Sequence, residues 1–500
     1  MSIQEKNHMG KSNKNLLFLA LMIVISCATQ VLALMKSSMV AGLFGTSEEI
    51  DAYNFANSIA AFIFGFVSAG ISTIIIPSYV KKKNNEDINS FITLIYSILF
   101  LVTVTCLVFR IPIISIITHR DKGFISIAAN SLIILMLSTY LTSFANITTA
   151  FFQCINKYNT PKIINLISQL IVIGILIYVD EISIYQYAMI IALGVAFNFV
   201  FDTLIAVKYG WRIKLNFHFN NLETKKYVKM FLPIVFSTGI YRLSLMIDST
   251  IAARLETGKI TVLGYSNQIA SMVNSVIVGN MLVYLYPKIV SRINKENNQR
   301  FFWEQSAFFH SVVCLIIAGF ACVGKDGIQV LFEHGKFNSD ATKAVFYGAL
   351  IYIIGQQTNI IRDLIYRYFY AKGNTKTAAG NSLVVGITNI SVSLILVYFI
   401  GFYGIILGTI IASFVSLITI MYRFHKLIGY EVSIIKILSS YFMNILISVV
   451  TIFAVMFTRH ILILQIPILR ILIFGTETVL IYFLLTILIN RKVLYAAKSI

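Results

Sequence analysis

The sequence has 500 residues, of which 58% are apolar and 12% are charged, and 40 basic residues against 21 acidic ones give a net charge of +19. A chain this apolar is not an ordinary soluble domain. Its basic residues alternate with apolar segments instead of forming one basic surface, so no nucleic-acid partner is predicted.

Fourteen apolar segments are predicted to cross the membrane as helices, which takes about 20 residues each. In chain order they are 16–35, 53–78, 91–109, 125–147, 163–179, 184–207, 230–251, 262–286, 306–323, 343–369, 378–400, 402–421, 437–457 and 466–489. Only Gly401 separates the eleventh segment from the twelfth. Backbone polar groups cannot be left unpaired in lipid, so the predicted fold class is an all-α integral membrane protein.

Basic residues concentrate at the N-terminus and in the even-numbered connections between these segments. The run Lys81–Lys83 and the connection 208–229, the longest polar stretch, are examples. The odd-numbered connections carry fewer basic residues and include acids such as Glu48 and Glu181. The positive-inside rule therefore predicts that both termini and the even-numbered connections lie in the cytoplasm.

Two segments of the chain, 32–80 and 243–290, resemble each other. Leu32–Met35 corresponds to Leu243–Met246, and Pro77 corresponds to Pro287. A repeat of this length in a membrane protein indicates two similar bundles. With six helices in each, an even number, both halves have the same orientation and are related by an axis along the membrane normal.

The repeat predicts the domain organisation. It consists of an N-terminal six-helix half (1–207), a basic cytoplasmic linker (208–229), a C-terminal six-helix half (230–421), and two extra helices with a cytoplasmic tail (422–500).

Charged residues inside the predicted helices are costly, so each one needs a physical reason. Arg242 and Asp248 lie in the seventh segment, and Arg362 and Asp363 lie in the tenth. Asp363 has the i,i+4 spacing of an ion pair with Arg367. Asp248 and Asp363 are candidates for binding a coupling cation. The structural alternative is that a partner such as Asp202, or a backbone carbonyl, simply satisfies Arg242.

Sequence motifs of enzymes and nucleotide-driven pumps are not found. The chain has no GxxxxGK[ST] phosphate loop, no HExxH and no GxSxG, and its five cysteines include no CxxC pair. We therefore predict a transporter and not an enzyme, without cofactor or metal, which draws on ion gradients, membrane potential or substrate supply.

Four stretches of the sequence are distinctive: Val40–Gly45 followed by Asp51–Tyr53, Pro233–Ala252, Leu331–Phe337, and Tyr368–Thr377. They resemble the MurJ/MviN family, bacterial flippases of the multidrug/oligosaccharidyl-lipid/polysaccharide superfamily. The resemblance implies fourteen helices, a central cavity, a location in the bacterial plasma membrane, and movement of an undecaprenyl-pyrophosphate-linked saccharide to the outer leaflet.

The chain departs from the family at several cationic positions that line the family's cavity. Lys36-Ser37 stands where the family has an Arg and an acid, the arginine pair of the second helix falls near Phe64-Gly65, and the arginine of the eighth falls on Gln268. Arg242 occupies a position that is usually uncharged. We hypothesise that Lys36 and Arg242, with Arg362, hold the pyrophosphate. The predicted substrate-binding set is Lys36, Asp51, Arg242, Gln268 and Arg362.

The resemblance predicts a flippase that works by alternating access on lipid II or a related cell-envelope precursor. Its predicted partners are the polyprenyl-pyrophosphate-linked saccharide, membrane lipids and the cell-envelope synthesis machinery. Three alternatives remain: a flippase for a capsule or exopolysaccharide repeat unit, a multidrug exporter of the same superfamily, and a non-transporting membrane scaffold.

Overall fold

The computed structural model describes residues 3–81, 86–155, 157–179, 181–212, 214–275, 298–372 and 374–491, together with residues 285, 289 and 292. This part of the chain is almost entirely helical and contains no β-strand. The predicted all-α fold class is confirmed. The repeat positions Pro287 and Val290, most of 276–286 and the tail 492–500 lie outside the described residues.

Fifteen helices form the described part of the chain. They are α1 (Ile3–Phe44), α2 (Glu48–Lys81), α3 (Glu86–Val108), α4 (Arg110–Thr118), α5 (Lys122–Cys154), α6 (Asn159–Ile177), α7 (Ile184–Lys208), α8 (Leu222–Ala253), α9 (Lys259–Val273), α10 (Asn298–Phe332), α11 (Ser339–Ala371), α12 (Thr375–Ile400), α13 (Phe402–Leu427), α14 (Ile434–Ile461) and α15 (Pro467–Ile489).

Eleven of these helices are long and apolar enough to cross a membrane by length and composition. They correspond to eleven of the predicted spans. The other three, 53–78, 230–251 and 262–286, include residues whose side chains are not described, so the count of fourteen stays a prediction. The short helix α4 was not predicted, and α8 begins at Leu222, before the predicted start at 230.

Local sequence signals explain where several helices begin. The Asp121 carboxylate accepts hydrogen bonds from the backbone at Gly123 and Phe124, and so caps α5. A capping box between Ser183 and Gln186 opens α7. The predicted break between α12 and α13 is confirmed at Gly401, whose φ of +59° is one that glycine adopts without a steric penalty.

The described helices fall into two compact units. The first comprises Met1–Leu43 and Ala52–Arg242. Within it, α7 packs against α5 and α6, and α3 and α4 pack against α5. The connection before α8 lies along the start of α3, where Ser90 Oγ donates to the His218 carbonyl at 2.7 Å and the Asn216 backbone donates to Thr93 Oγ1 at 3.1 Å.

The second unit comprises Phe44–Asp51 and Leu243–Ile500. In it, α10 packs against α11, α14 and α15, and α11 also contacts α9 and α13. The core of this unit is aromatic, with Phe302, Trp303, Tyr368 and Phe424 in mutual ring contact. The unit includes the two extra helices of the predicted organisation, and the predicted domain boundaries stay a prediction.

Candidate functional site

The clearest cationic feature of the first unit is the side chain of Arg242, which lies against Gly65 of α2. A methyl group at residue 65 would stand 2.7 Å from Arg242 Nε and 3.1 Å from Arg242 Cζ. The guanidinium group therefore occupies the space that any larger side chain at position 65 would need. Arg242 is partly buried, and within the described part of the chain it forms no ion pair with Asp202 or any other acid.

Lys36 lies on α1, in the same unit as Arg242. Its side chain is partly buried, and α1 from Val24 to Phe44 is apolar enough to cross a membrane. Among the described ion pairs none includes Lys36. An ammonium group in a membrane helix without a counter-charge is expensive, which favours a functional reason for its presence.

Arg362 and Asp363 form an ion pair on α11 in the second unit. Arg362 Nε and Nη2 both donate to Asp363 Oδ1, at 3.0 and 2.9 Å, and the two side chains are only 18% and 26% exposed. The sequence predicted Arg367 as the partner of Asp363, but the structure pairs Asp363 with its direct neighbour. These are the two predicted site residues that the described contacts bring together.

Asp51 is a buried helix-capping residue in the second unit. Its Oδ1 accepts hydrogen bonds from the Thr261 backbone at 2.9 Å and the Thr261 hydroxyl at 2.6 Å, and its Oδ2 accepts one from the Gly258 backbone. The side chain is 1% exposed. Asp51 thus satisfies otherwise unpaired N–H groups at the start of α9. Its predicted contact with substrate stays a prediction. Gln268, farther along α9, is partly buried.

Asp248 forms the centre of a cluster of oxygen atoms in the second unit. It is 2% exposed, and its Oδ2 accepts a hydrogen bond from Asn389 Nδ2 at 3.0 Å. Ser393 Oγ lies 3.2 Å from Asn389 Oδ1 and 3.3 Å from the carbonyl oxygen of Ile405. The Asp248 Oδ1 atom is buried and has no hydrogen-bond partner among the described residues.

Carboxylate, amide, hydroxyl and carbonyl oxygens are the ligands that hard cations prefer. Asn389 and Ser393, both on α12, were not among the predicted site residues. The signal that points to them is their i,i+4 spacing in an apolar helix, which places both polar side chains on one face.

The family model and the related sequences point to one family. The family model described as "Lipid II flippase MurJ" matches residues 40–472. The probable lipid II flippase MurJ of Vibrio cholerae is 21% identical over 429 residues, covering 80% of this chain and 81% of that protein. Its counterpart in Helicobacter pylori strain 26695 is 23% identical over 414 residues, covering 75% and 87%.

Solved structures of the same fold include a lipid II flippase MurJ in an inward closed conformation. It aligns with a TM-score of 0.80 at 19% identity, covering 94% of this chain and 100% of that chain. An inward-facing multidrug resistance transporter of the MATE family aligns with a TM-score of 0.64 at 12% identity, covering 81% and 96%. At these identities both likenesses establish the fold alone.

Proposed function

This chain belongs to the MurJ family of lipid II flippases, and from that membership we propose that it moves lipid II, or a related undecaprenyl-pyrophosphate-linked saccharide, to the outer leaflet by alternating access. The protein is a multi-pass membrane transporter and not an enzyme. The proposal extends to its setting: the bacterial plasma membrane, both termini in the cytoplasm, and contact with the cell-envelope synthesis machinery.

The observation that carries the substrate proposal is the guanidinium of Arg242 beside Gly65. The family resemblance implies arginines near this part of the second helix, where this chain has Phe64-Gly65. Arg242 brings a cation to the same place from α8. In this proposal the charge needed for a pyrophosphate has moved from one helix to another and has not been lost.

The chemistry of the substrate explains why such a charge is needed. A saccharide-pyrophosphate head cannot cross hydrocarbon unaided, because its charges and hydroxyls would lose their hydration. Arginine replaces that hydration with fixed donors in a fork that matches two phosphate oxygens. We assign Arg242 to direct pyrophosphate contact and Lys36 to a second, point-charge contact. Arg362 shares its charge with Asp363, so its contribution is smaller.

The cluster around Asp248 is proposed as the cation-coupling site. Its buried carboxylate, with Oδ1 lacking a partner among the described residues, is suited to a monovalent cation completed by the oxygens of Asn389 and Ser393. Asp363 is the weaker of the two predicted candidates, since Arg362 already balances its charge. Alternating movements of the two six-helix halves would then be driven by ion binding, membrane potential or both.

A depletion-rescue experiment tests the function. The chain is expressed in bacterial cells whose own lipid II flippase is shut off, together with Arg242→Ala and Lys36→Ala variants at matched membrane levels. Arg212→Ala, an exposed arginine of the linker, is the matched control. Wild type and the control are expected to rescue growth, and Arg242→Ala is not.

The other outcomes separate the function from the site. Rescue by every variant would support lipid II flipping and overturn the assignments of Arg242 and Lys36 to the pyrophosphate. Failure of the wild-type chain to rescue, despite good membrane insertion, would refute lipid II as the substrate and favour another polyprenyl-linked saccharide.

A further inference from the structure

A cavity of about 450 Å³ lies inside the first unit, lined by α1, α5, α6 and α7. None of the residues assigned above to pyrophosphate or cation binding lines it. Gln153 and Tyr158 line it at the junction where α5 ends and α6 begins. A junction between two spanning helices lies at the polar edge of the bilayer, which is the level of lipid headgroups.

One part of the cavity wall supplies hydrogen-bond donors and positive charge. Lys162 of α6 lines the cavity, and its Nζ donates to Ser26 Oγ of α1 at 3.0 Å. An ammonium group has three N–H donors. This bond is the one that Lys162 makes through its side chain to described residues, so two donors are available to an anion in the cavity.

Another part of the wall supplies acceptors and negative charge. Asp202 of α7 lines the cavity and is 3% exposed, and its Oδ1 has no hydrogen-bond partner among the described residues. Asn198 stands one turn earlier on the same face, and its Oδ1 is likewise buried without a partner in the described part of the chain. Two buried acceptors therefore point to a ligand that carries N–H donors.

The positive and negative groups share the cavity without neutralising each other. Among the ion pairs formed by described residues, none includes Lys162 or Asp202. An uncompensated carboxylate at this depth is costly. A lone cation at Asp202 would use neither the free donors of Lys162 nor most of the volume, because a water-sized occupant takes only about 30 Å³.

We propose that this cavity binds a phosphoethanolamine group, with the phosphate at Lys162 and the ammonium at Asp202 and Asn198. This arrangement satisfies both sets of unused groups, and it places a zwitterion in a pocket whose own charges are one positive and one negative. The group can come from membrane phosphatidylethanolamine or from soluble phosphoethanolamine. The site is separate from the proposed pyrophosphate site, so it can be tested by binding without measuring flipping.

The test is a binding titration on the purified full-length protein in detergent. The probes are short-chain phosphatidylethanolamine, phosphatidylcholine and phosphatidylglycerol with identical acyl chains. Phosphatidylcholine has no N–H donors on its ammonium, and phosphatidylglycerol has no ammonium. Phosphatidylethanolamine is expected to bind at least about tenfold more tightly than either, as befits one charge-assisted hydrogen bond.

Variants locate the binding in the cavity. Asp202→Asn and Lys162→Gln are each expected to weaken phosphatidylethanolamine binding by about tenfold or more, since each removes one charged contact. Lys208→Gln, an exposed lysine at the end of α7, is the matched control and is expected to bind like wild type. If free phosphoethanolamine competes with the lipid, the bound group comes from a soluble source. If only the lipid binds, the bound group comes from the membrane.

Equal binding of phosphatidylethanolamine and phosphatidylcholine by the wild-type protein would overturn the proposal. So would unchanged binding by both cavity variants. If a variant does not fold, the comparison of the three lipids on the wild-type protein still decides.

Discussion

At the scale of single residues, the close approach of the Arg242 side chain to Gly65 leads to a specific prediction. A methyl group at residue 65 would stand 2.7 Å from Arg242 Nε, so the two side chains compete for one volume. Arg242→Ala is expected to lower lipid II transport by at least about tenfold, because a charge-assisted contact is worth roughly 1.5–3 kcal/mol. The double variant Gly65→Arg, Arg242→Ala returns a guanidinium to that volume from α2 and is expected to recover transport, measured by rescue of depleted cells.

The single variant Gly65→Arg is the control for this exchange. It crowds two guanidinium groups into one space, so its transport should fall below that of the double variant. An equal loss of transport in Arg242→Ala and in the double variant would show that the charge must be on α8 and that its presence alone is not enough.

The two predicted cation-binding acids are expected to behave differently. Asp248 has a buried oxygen with no partner among the described residues, whereas Asp363 is paired with Arg362 at 2.9 Å. A ligand present at 100 times its Kd stabilises the folded state by about 2.7 kcal/mol. Sodium chloride should therefore raise the melting temperature of the purified protein above its value in choline chloride. Asp248→Asn should abolish that difference, and Asp363→Asn should retain it.

If sodium still raises the melting temperature of the Asp248→Asn variant, the cation does not bind at this cluster. If only Asp363→Asn loses the sodium-dependent rise in melting temperature, the cation binds at α11 instead. Asn389→Ala gives an independent check, because it removes the side chain that donates to Asp248. It should weaken the sodium response without changing the number of acids.

At the scale of elements, the sequence predicted helices well where a boundary is local and poorly where it depends on distant residues. The break at Gly401 was predictable, since its φ of +59° suits glycine. The short helix α4 was not, because its nine residues, Arg110–Thr118, are far fewer than the roughly 20 that a spanning helix needs, and only runs of that length were assigned as helices. The cap of α9 by Asp51 joins residues more than 200 positions apart, so a local sequence pattern cannot predict it.

Asp326 of α10 is the element-scale link that holds the last two helices. Its carboxylate forms ion pairs with Arg459 of α14 and Arg470 of α15, each with a nitrogen-to-oxygen distance of 2.8 Å, and its side chain is 2% exposed. Asp326→Asn leaves two guanidinium groups without their counter-charge. Breaking a buried ion pair in this way costs about 3–5 kcal/mol. We expect a marked fall in the melting temperature of the purified protein.

Asp340→Asn is the matched control for that prediction. Asp340 pairs with Lys343 at 3.0 Å on the surface, and its side chain is 84% exposed. Exposed pairs of this kind contribute about 0–1 kcal/mol, so the melting temperature should hardly change. Equal effects of the two substitutions would mean that the Asp326 pair does not hold α14 and α15 to α10.

At the scale of the whole molecule, hydropathy predicted the spanning helices, but it did not predict how contacts group them. The connection Phe44–Asp51 belongs to the second unit, although the residues on either side of it belong to the first. Two contacts explain this grouping: the hydrogen bonds that Asp51 accepts from the start of α9, and the close approach of Gly45 to the Lys336 carbonyl, which leaves no room for a side chain at residue 45. Both depend on residues far apart in the sequence, which periodicity and composition do not reveal.

The orientation of the whole chain follows from its charge distribution and gives the last prediction. The connection before α8 carries two basic residues, Arg212 and Lys214, whereas the connection between α8 and α9 carries one, Arg254, and the exposed acid Glu256. The positive-inside rule places the first in the cytoplasm and the second outside. In a variant without the five native cysteines, Glu256→Cys should react with a membrane-impermeant maleimide in intact cells, and Lys214→Cys should react only after the cells are permeabilised. The reverse labelling pattern would mean that the chain has the opposite orientation in the membrane, and that a saccharide-pyrophosphate is carried in the opposite direction.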